Sequence, residues 1–380
     1  MSGRGIRGSV SPGFERVEAL LGELVAADPE YSAQLAVFRR GEPVVDITVG
    51  DAIASDAVTG VFSVSKGVSA LTFSMLIRQG LVDLDRTVAH YWPEFAAEGK
   101  EGITVRQLLS HQAGLIGVQG GFTPDEFIDS AAAAERIATT APLWRPGSAF
   151  GYHGITIGVF LEELTRRIAG TTLQELYEES VRAPRGIDFY LGLPETEDHR
   201  YLPLRSGPEL PSEPGPVELP PMAPDGYMAH MFNAIGRPLV PVHKDPFTPN
   251  LRRMRAAGQA AIGGVGSARG IAAVYAAGLD CATESLLDAP TRSAVTQEHV
   301  SGVDRVLGVE AAFAIGFMKP TRRVDFGSYL AFGHDGAGGA LGFADPLYDL
   351  AFGYLPFPMV PPGGDERYRR LRYAVRECVI

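Results

Sequence analysis

The feature that most constrains this chain is where its strand-like segments fall. Near the start, "SAQLAVFRRGEPVVDITVG" (32–50) holds two apolar, β-branched-rich runs around a turn with Gly41 and Pro43, which predicts a β-hairpin. Strand character then disappears for more than half the chain. It returns in "AAFAIGFM" (311–318), "SYLAFGHDG" (328–336) and "LYDLAFGYLPF" (347–357). Between the two ends the pattern is helices and loops. One sheet must therefore be assembled from both termini, with a mostly helical stretch inserted between its halves. That predicts an α/β (α+β) protein with a sheet domain from 1–85 and 258–380 and a helical domain over 86–257.

The helices are marked by period and punctuation. Phe14, Val17, Leu20, Leu21 and Leu24 repeat at helical spacing over 12–27, and Ser63 to about Gln79 is closed by Gly80. Further helices are expected over 104–115 (Thr104 capping, Gly114 ending), 123–142 (opening with Pro124 and two acids), 153–170 (stopped by Gly170) and 365–378. Residues 203–249 carry too many prolines for regular helix or central strand and read as a long surface excursion, a rim or lid.

With 45% hydrophobic and 21% charged residues the chain can bury a sizeable core. A net charge of −11 argues against a nucleic-acid partner or an anionic membrane surface. No apolar run approaches 18 residues, and no apolar core precedes Phe14, so neither a membrane span nor a secretory signal is read and a cytoplasmic location is expected. Cys281 and Cys378 lie far apart and read as free thiols, one long-range disulfide remaining the alternative. His90, His199, His230, His243 and His299 have no ligand spacing, so no metal or other cofactor is expected.

The chemistry concentrates in "GVFSVSKGVSALTFS" (60–74). On a helix, Ser63 and Lys66 share a face at i, i+3, whereas Ser65 points about 100° away. A lysine kept neutral by burial can take the proton of a serine hydroxyl, and a helix N-terminus offers N–H donors to an oxyanion. The plain alternative is a serine cap beside a solvated lysine. With 20 serines and four lysines, roughly 0.2 S-x-x-K matches arise by chance. A cation in the first turn opposes the helix dipole, however, and Val61, Phe62 and Val64 make the surroundings apolar.

"FSVSKG" resembles the active-site helix of class C serine β-lactamases, penicillin-binding-protein-like enzymes and, most closely, family VIII carboxylesterases. "GLVDLDRTVAHYWPEF", "ITVRQLLSHQAGL", "WRPGSAFGYHGITIGVFLEELTRRIAG", "GGVGSARGIAAVYAAG" and "FGHDGAGGALGFADP" follow in that family's order. The resemblance implies a β-lactamase/transpeptidase-like fold with an antiparallel sheet flanked by helices. It implies that Tyr152, opening "YHG", joins Ser63 and Lys66 as a catalytic residue, its phenol acidified near Lys66; which of the two takes the first proton stays open. It aligns His334-Asp335-Gly336 with the lactamases' K-T-G strand, so that the N–H groups of Ser63 and Ala337 form the oxyanion hole, with Gly336 and His334 in substrate binding. His111 takes a structural role near the active-site helix. Gly154 stands where β-lactamases carry an asparagine, and His334 replaces a permanent cation; both departures favour neutral esters.

The expected function is therefore a serine hydrolase cleaving small-molecule carboxylic esters through an acyl-enzyme on Ser63. The rivals are amide chemistry (β-lactamase, D-amino-acid peptidase, amidase), acyl transfer in a biosynthetic pathway, and an inactive scaffold. Homo-oligomerisation stays open.

Overall fold

The computed structural model describes residues 5–207, 219–234, 241–279, 284–360 and 366–380. Its centre is an antiparallel six-stranded sheet: β1 (Arg7–Val10), β2 (Ser32–Arg39), β3 (Glu42–Val49), β4 (Phe332–Asp335), β5 (Leu341–Asp345) and β6 (Leu350–Phe357). The spatial order is β1-β3-β2-β6-β5-β4, so the first and last parts of the chain meet where β2 pairs with β6. The hairpin turn between β2 and β3 is Arg40–Gly41, both with positive φ, the geometry that matches strand twist. Pro43 is tolerated because β1 pairs only with Val45–Thr48, leaving the start of β3 at an edge.

Alternation along β2 sends Leu35 and Val37 to one face and Ala36 to the other. The first face is covered by α1 (Glu15–Ala27) and the C-terminal helix α5 (Glu366–Glu377), whose Val17, Leu21, Leu24, Leu371 and Val375 form one buried cluster with it. The second face receives α2 (Val64–Arg78) and α4 (Ala268–Ala277), and beyond them α3 (Thr156–Ala169). Every residue of α2 from Val64 to Ser74 is buried, so this helix is the axis joining sheet and helical region. Its Ser69, Thr72 and Ser74 hydroxyls donate to the carbonyls of Ala260, Val68 and Ala70.

Several expectations need correction. The helix read over 104–115 is only Val105–Leu109: His111 turns left-handed (φ 65°) and Gly114 lies beyond the helix. That over 123–142 is two helices, Pro124–Ile128 and Ser130–Ala138, because Asp129 leaves helical geometry and caps the second with its carboxylate. The segment 311–318 does not enter the main sheet. Glu310–Phe313 pairs with Val300–Val303 in a separate ribbon, tied to β4 through single bridges at Met318. Of the proline-rich excursion, 219–234 holds one short helix, Tyr227–Met231; 208–218 and 235–240 lie outside the described residues. Cys281 also lies outside them, and Cys378 is free and half-buried. No helix among the described residues is long and apolar enough to cross a membrane.

Helix α4 lies unusually close to the sheet. A Cβ on Gly353 of β6 would sit 2.1 Å from the Ala268 carbonyl oxygen and 2.8 Å from the Ala272 nitrogen, both backbone atoms. Gly353→Ala is therefore expected to destabilise the protein by about 1–3 kcal/mol. Gly22→Ala, in α1 with only Ile6 Cδ1 at 3.4 Å, should stabilise it by about 0.5–1 kcal/mol. Chemical-denaturation midpoints of the two variants should move in opposite directions; a shared direction would contradict this packing.

Candidate active site

Ser63 sits in a tight turn between the short strand Thr59–Gly60 and α2. The turn is made by Phe62, whose φ of 46° is left-handed backbone, a local cost of about 1–3 kcal/mol that the surroundings must sustain. Gly264 holds one side of it, accepting from the Val61 N–H at 3.1 Å. Ser63 makes no side-chain cap to α2. Its Oγ instead lies 2.8 Å from Lys66 Nζ and accepts from the Tyr152 hydroxyl at 3.1 Å. Ser65 does not reach Lys66: its fully buried hydroxyl donates to the Phe62 carbonyl and accepts from the Gly264 N–H.

Lys66 is completely buried, and its second contact is the Ala261 carbonyl at 3.0 Å. Burial drives its pKa well below the lysine range, opposed only by the nearby charge of Asp335. The amine is thereby pushed towards its neutral form, with a lone pair available to Ser63. Its Nζ also lies 5.1 Å from the centre of the Tyr152 ring.

Tyr152 corrects the expectation of an acidified phenol. Burial raises its pKa, and the hydrogen bond to Ser63 and the charge of Arg323 offset this only in part. The ring belongs to an aromatic cluster: it lies parallel to Phe313 at 5.8 Å and 9°, with His111 5.4 Å away. His334 Nδ1 is 2.7 Å from the carbonyl oxygen of Asp335 and must donate to it, which leaves Nε2 as an acceptor 3.4 Å from the Tyr152 hydroxyl. Burial pushes the His334 pKa down to about 3, so its imidazole is neutral at ordinary pH.

His111 packs against Tyr152: its Nδ1 accepts from the His153 N–H at 3.1 Å, and its ring lies 4.4 Å from Phe313. His153 donates from Nδ1 to the Gly151 carbonyl at 2.8 Å and accepts at Nε2 from the Leu115 N–H at 3.1 Å.

The strand at the other side of Ser63 is β4. A Cβ on Gly336 would fall 2.2 Å from the Val61 carbonyl, so only glycine lets β4 lie this close to the turn that carries Ser63. Ala337 follows on the surface of the cleft. Among the described residues no group accepts from the N–H of Ser63 or of Ala337. The cleft that Ser63 and Ala337 line has a volume of about 250 Å³ and is mostly apolar, with Phe232, Phe313, Met318, Leu341 and Val360 in its walls. The Arg323–Asp335 pair, 3.3 Å apart, is its charged feature.

Sequence reasoning missed three contributors. Ala261 acts through its carbonyl, which has no side-chain signature. Arg323 sits in no motif that would single it out. Met231 was invisible: a Cβ on Gly154 would lie 2.0 Å from its sulfur, so the room for a side chain at 154 is filled from the excursion.

The family model for Beta-lactamase matches residues 17–375, and the chain belongs to that family. Within it the protein is a serine hydrolase, similar to enzymes named as esterases. The solved structure of EstA from Arthrobacter nitroguajacolicus Rue61a is 46% identical, covers 97% of each chain and superposes with a TM-score of 0.88. A family VIII carboxylesterase structure is 32% identical over 98% of this chain and 99% of its own, with a TM-score of 0.85. The esterase/beta-lactamase LipL of Mycobacterium tuberculosis is 28% identical over 95% of this chain and 85% of its own length.

The buried histidines have a consequence for stability. Burial lowers the pKa of His153 and His334 to about 3 and that of His111 well below its usual 6.5. Unfolded, all three bind protons near pH 6.5, so the unfolded state holds more protons between that value and the native pKa values. Stability is therefore present above about pH 6.5 and lost as the pH falls, by ~1 kcal/mol per histidine per pH unit. The urea midpoint should drop markedly from pH 7 to pH 5; an unchanged midpoint would contradict neutral, buried imidazoles.

Proposed function

We propose that the protein is a carboxylesterase-type hydrolase that works through an acyl-enzyme on Ser63, with Lys66 as its base. The single observation that carries this is an amine, buried and pushed towards neutrality, 2.8 Å from a serine hydroxyl at the start of a helix. Ser63 Oγ attacks the ester carbonyl while its proton passes to Lys66 Nζ. The oxyanion lies between the N–H groups of Ser63 and Ala337. The C–O bond to the alcohol breaks, and Tyr152, a neutral phenol, gives the leaving oxygen its proton; the proton held by Lys66 restores the phenol. Water then attacks the acyl-enzyme with the same groups acting in reverse. The opposed pKa shifts of Lys66 and Tyr152 support this division into base and acid.

Three observations favour small neutral esters over β-lactams. Met231 occupies the space where an amide side chain at 154 would stand. His334 offers no positive charge to a substrate carboxylate. A cleft of about 250 Å³ is also small for a bulky bicyclic substrate. The relatives' names as esterases agree with this reading.

Ser63→Ala is expected to lower p-nitrophenyl-ester turnover by about 10³–10⁶-fold with the fold intact by circular dichroism. Mass spectrometry of the wild type with a slow ester should place the acyl adduct on the peptide containing Ser63. Ser65→Ala should keep most of the turnover of the folded fraction while losing about 1–3 kcal/mol of stability, because it removes the bridge between Phe62 and Gly264. Full turnover by Ser63→Ala would overturn the proposal, as would faster hydrolysis of a chromogenic cephalosporin than of a short-chain ester.

A further inference from the structure

The dipeptide Ala260–Ala261 runs between α2 and α3, and side chains take all four of its backbone polar groups. Glu162 Oε1, on α3, accepts from the Ala260 N–H at 2.8 Å. Ser69, on α2, donates to the Ala260 carbonyl at 2.8 Å. Gln259 Oε1 accepts from the Ala261 N–H at 2.8 Å, and Lys66 Nζ donates to the Ala261 carbonyl at 3.0 Å. Gly158 of α3 makes room for this segment: a Cβ there would lie 2.6 Å from the Ala261 nitrogen. Backbone groups inside a core are normally satisfied by backbone partners. Here two helices and a loop supply side chains instead, and the end point of that arrangement is the acceptor that orients Lys66.

A neutral lysine has two N–H bonds and one lone pair. When one N–H is committed to Ala261, the direction left for the lone pair is set by where that carbonyl stands. From this geometry we infer that Glu162 is a positioning residue for Lys66: by holding the Ala260 N–H it fixes the Ala261 carbonyl and so aims the amine at Ser63. The inference rests on the reading of Lys66 as the base.

Glu162 is an unusual group for a purely structural brace. It is 4% exposed, and its Oε2 has no hydrogen-bond partner among the described residues. Burial pushes its pKa up to about 7, while the bonds from Ala260 and Gln174 pull it back. Of the charged and titratable groups on the elements packed around α3, Glu135, His90 and Arg78 are exposed, and the others are engaged elsewhere. Lys66 bonds Ser63 and Ala261; Arg136 pairs with Glu126, and Arg106 with Asp85. Glu163 is held by Arg166 and Arg167, and Glu175 by Thr172. Glu162 thus titrates in the working range, and its ionised form is the stronger acceptor for the Ala260 N–H. The brace tightens as the pH rises through about 7 and loosens as it falls.

The test is the pH dependence of kcat for p-nitrophenyl acetate in three proteins. Wild type is expected to gain activity through a limb near pH 7. Glu162→Gln should lose that limb, keep the one due to Lys66, and show kcat reduced about 3- to 10-fold at pH 8 with KM within about twofold. Gln174→Ala removes a hydrogen bond that lowers the Glu162 pKa, so its limb should move to higher pH. That variant lies on the surface side of the carboxylate and remains decisive if Glu162→Gln fails to fold. A Gln174→Ala limb that stays in place, or a Glu162→Gln profile that superimposes on wild type, overturns the inference. If Ser63→Ala still turns over, the reading of the site itself fails; a dead Ser63→Ala with an unmoved limb sinks only the role of Glu162.

Discussion

The architecture depends on keeping one amine out of water. A lysine side chain buried without a carboxylate in contact is a large electrostatic debt, relieved by giving up the proton rather than by pairing. Lys66 can be held there because α2 is enclosed on all sides, by the sheet, by α4 and by α3. Two short polar contacts, Ser63 and the Ala261 carbonyl, take the place of solvent. Asp335 is close enough to favour the ammonium form, yet burial dominates. Remove the enclosure and the lysine becomes an ordinary surface cation; keep it and an amine pushed towards neutrality stands beside the serine hydroxyl.

The same burial acts in the opposite sense on Tyr152. An acid that must ionise to become charged is driven up in pKa by the environment that drives an amine down. In the proposed mechanism the two opposed shifts divide the roles of proton acceptor and proton donor around a single oxygen. The three buried histidines extend the pattern: His111, His153 and His334 are neutral spacers and hydrogen-bonding partners around Tyr152, and their cost appears as acid sensitivity of the fold. The strained Phe62 and the missing side chain of Gly336 bring turn and strand together, so that Ser63 and Ala337 line the same cleft.

Much of this was legible in the sequence where the signal is local. The β2–β3 hairpin, α1, α2 and α5 were marked by period, turn residues and stop signals, and helical spacing alone separates Ser63 from Ser65 relative to Lys66. What escaped was whatever tertiary contact decides. β5 was not among the strands read from the sequence; Gly342 within it is there because a Cβ would meet Ile271 and Tyr275 at 2.5 and 2.6 Å. The helix after Thr104 stops early because His111 adopts a left-handed conformation that carries its ring to Tyr152. The Tyr152 phenol was expected to be acidified by a nearby cation, but a lysine driven towards neutrality supplies little charge and burial prevails. Ala261 and Glu162 could not be found from motifs, since one works through its backbone and the other through an alanine.

The central claim is the protonation state of Lys66, and it can be measured directly. The chain has four lysines, Lys66, Lys100, Lys244 and Lys319, so a spectrum of protein labelled with lysine carrying ¹³C at Cε has few resonances. The Lys66 signal can be assigned by its loss in Lys66→Met. The account predicts that this resonance titrates far below the usual lysine range, with the amine largely uncharged under the conditions in which esters are hydrolysed. A Lys66 resonance that titrates near 10.5 would contradict it.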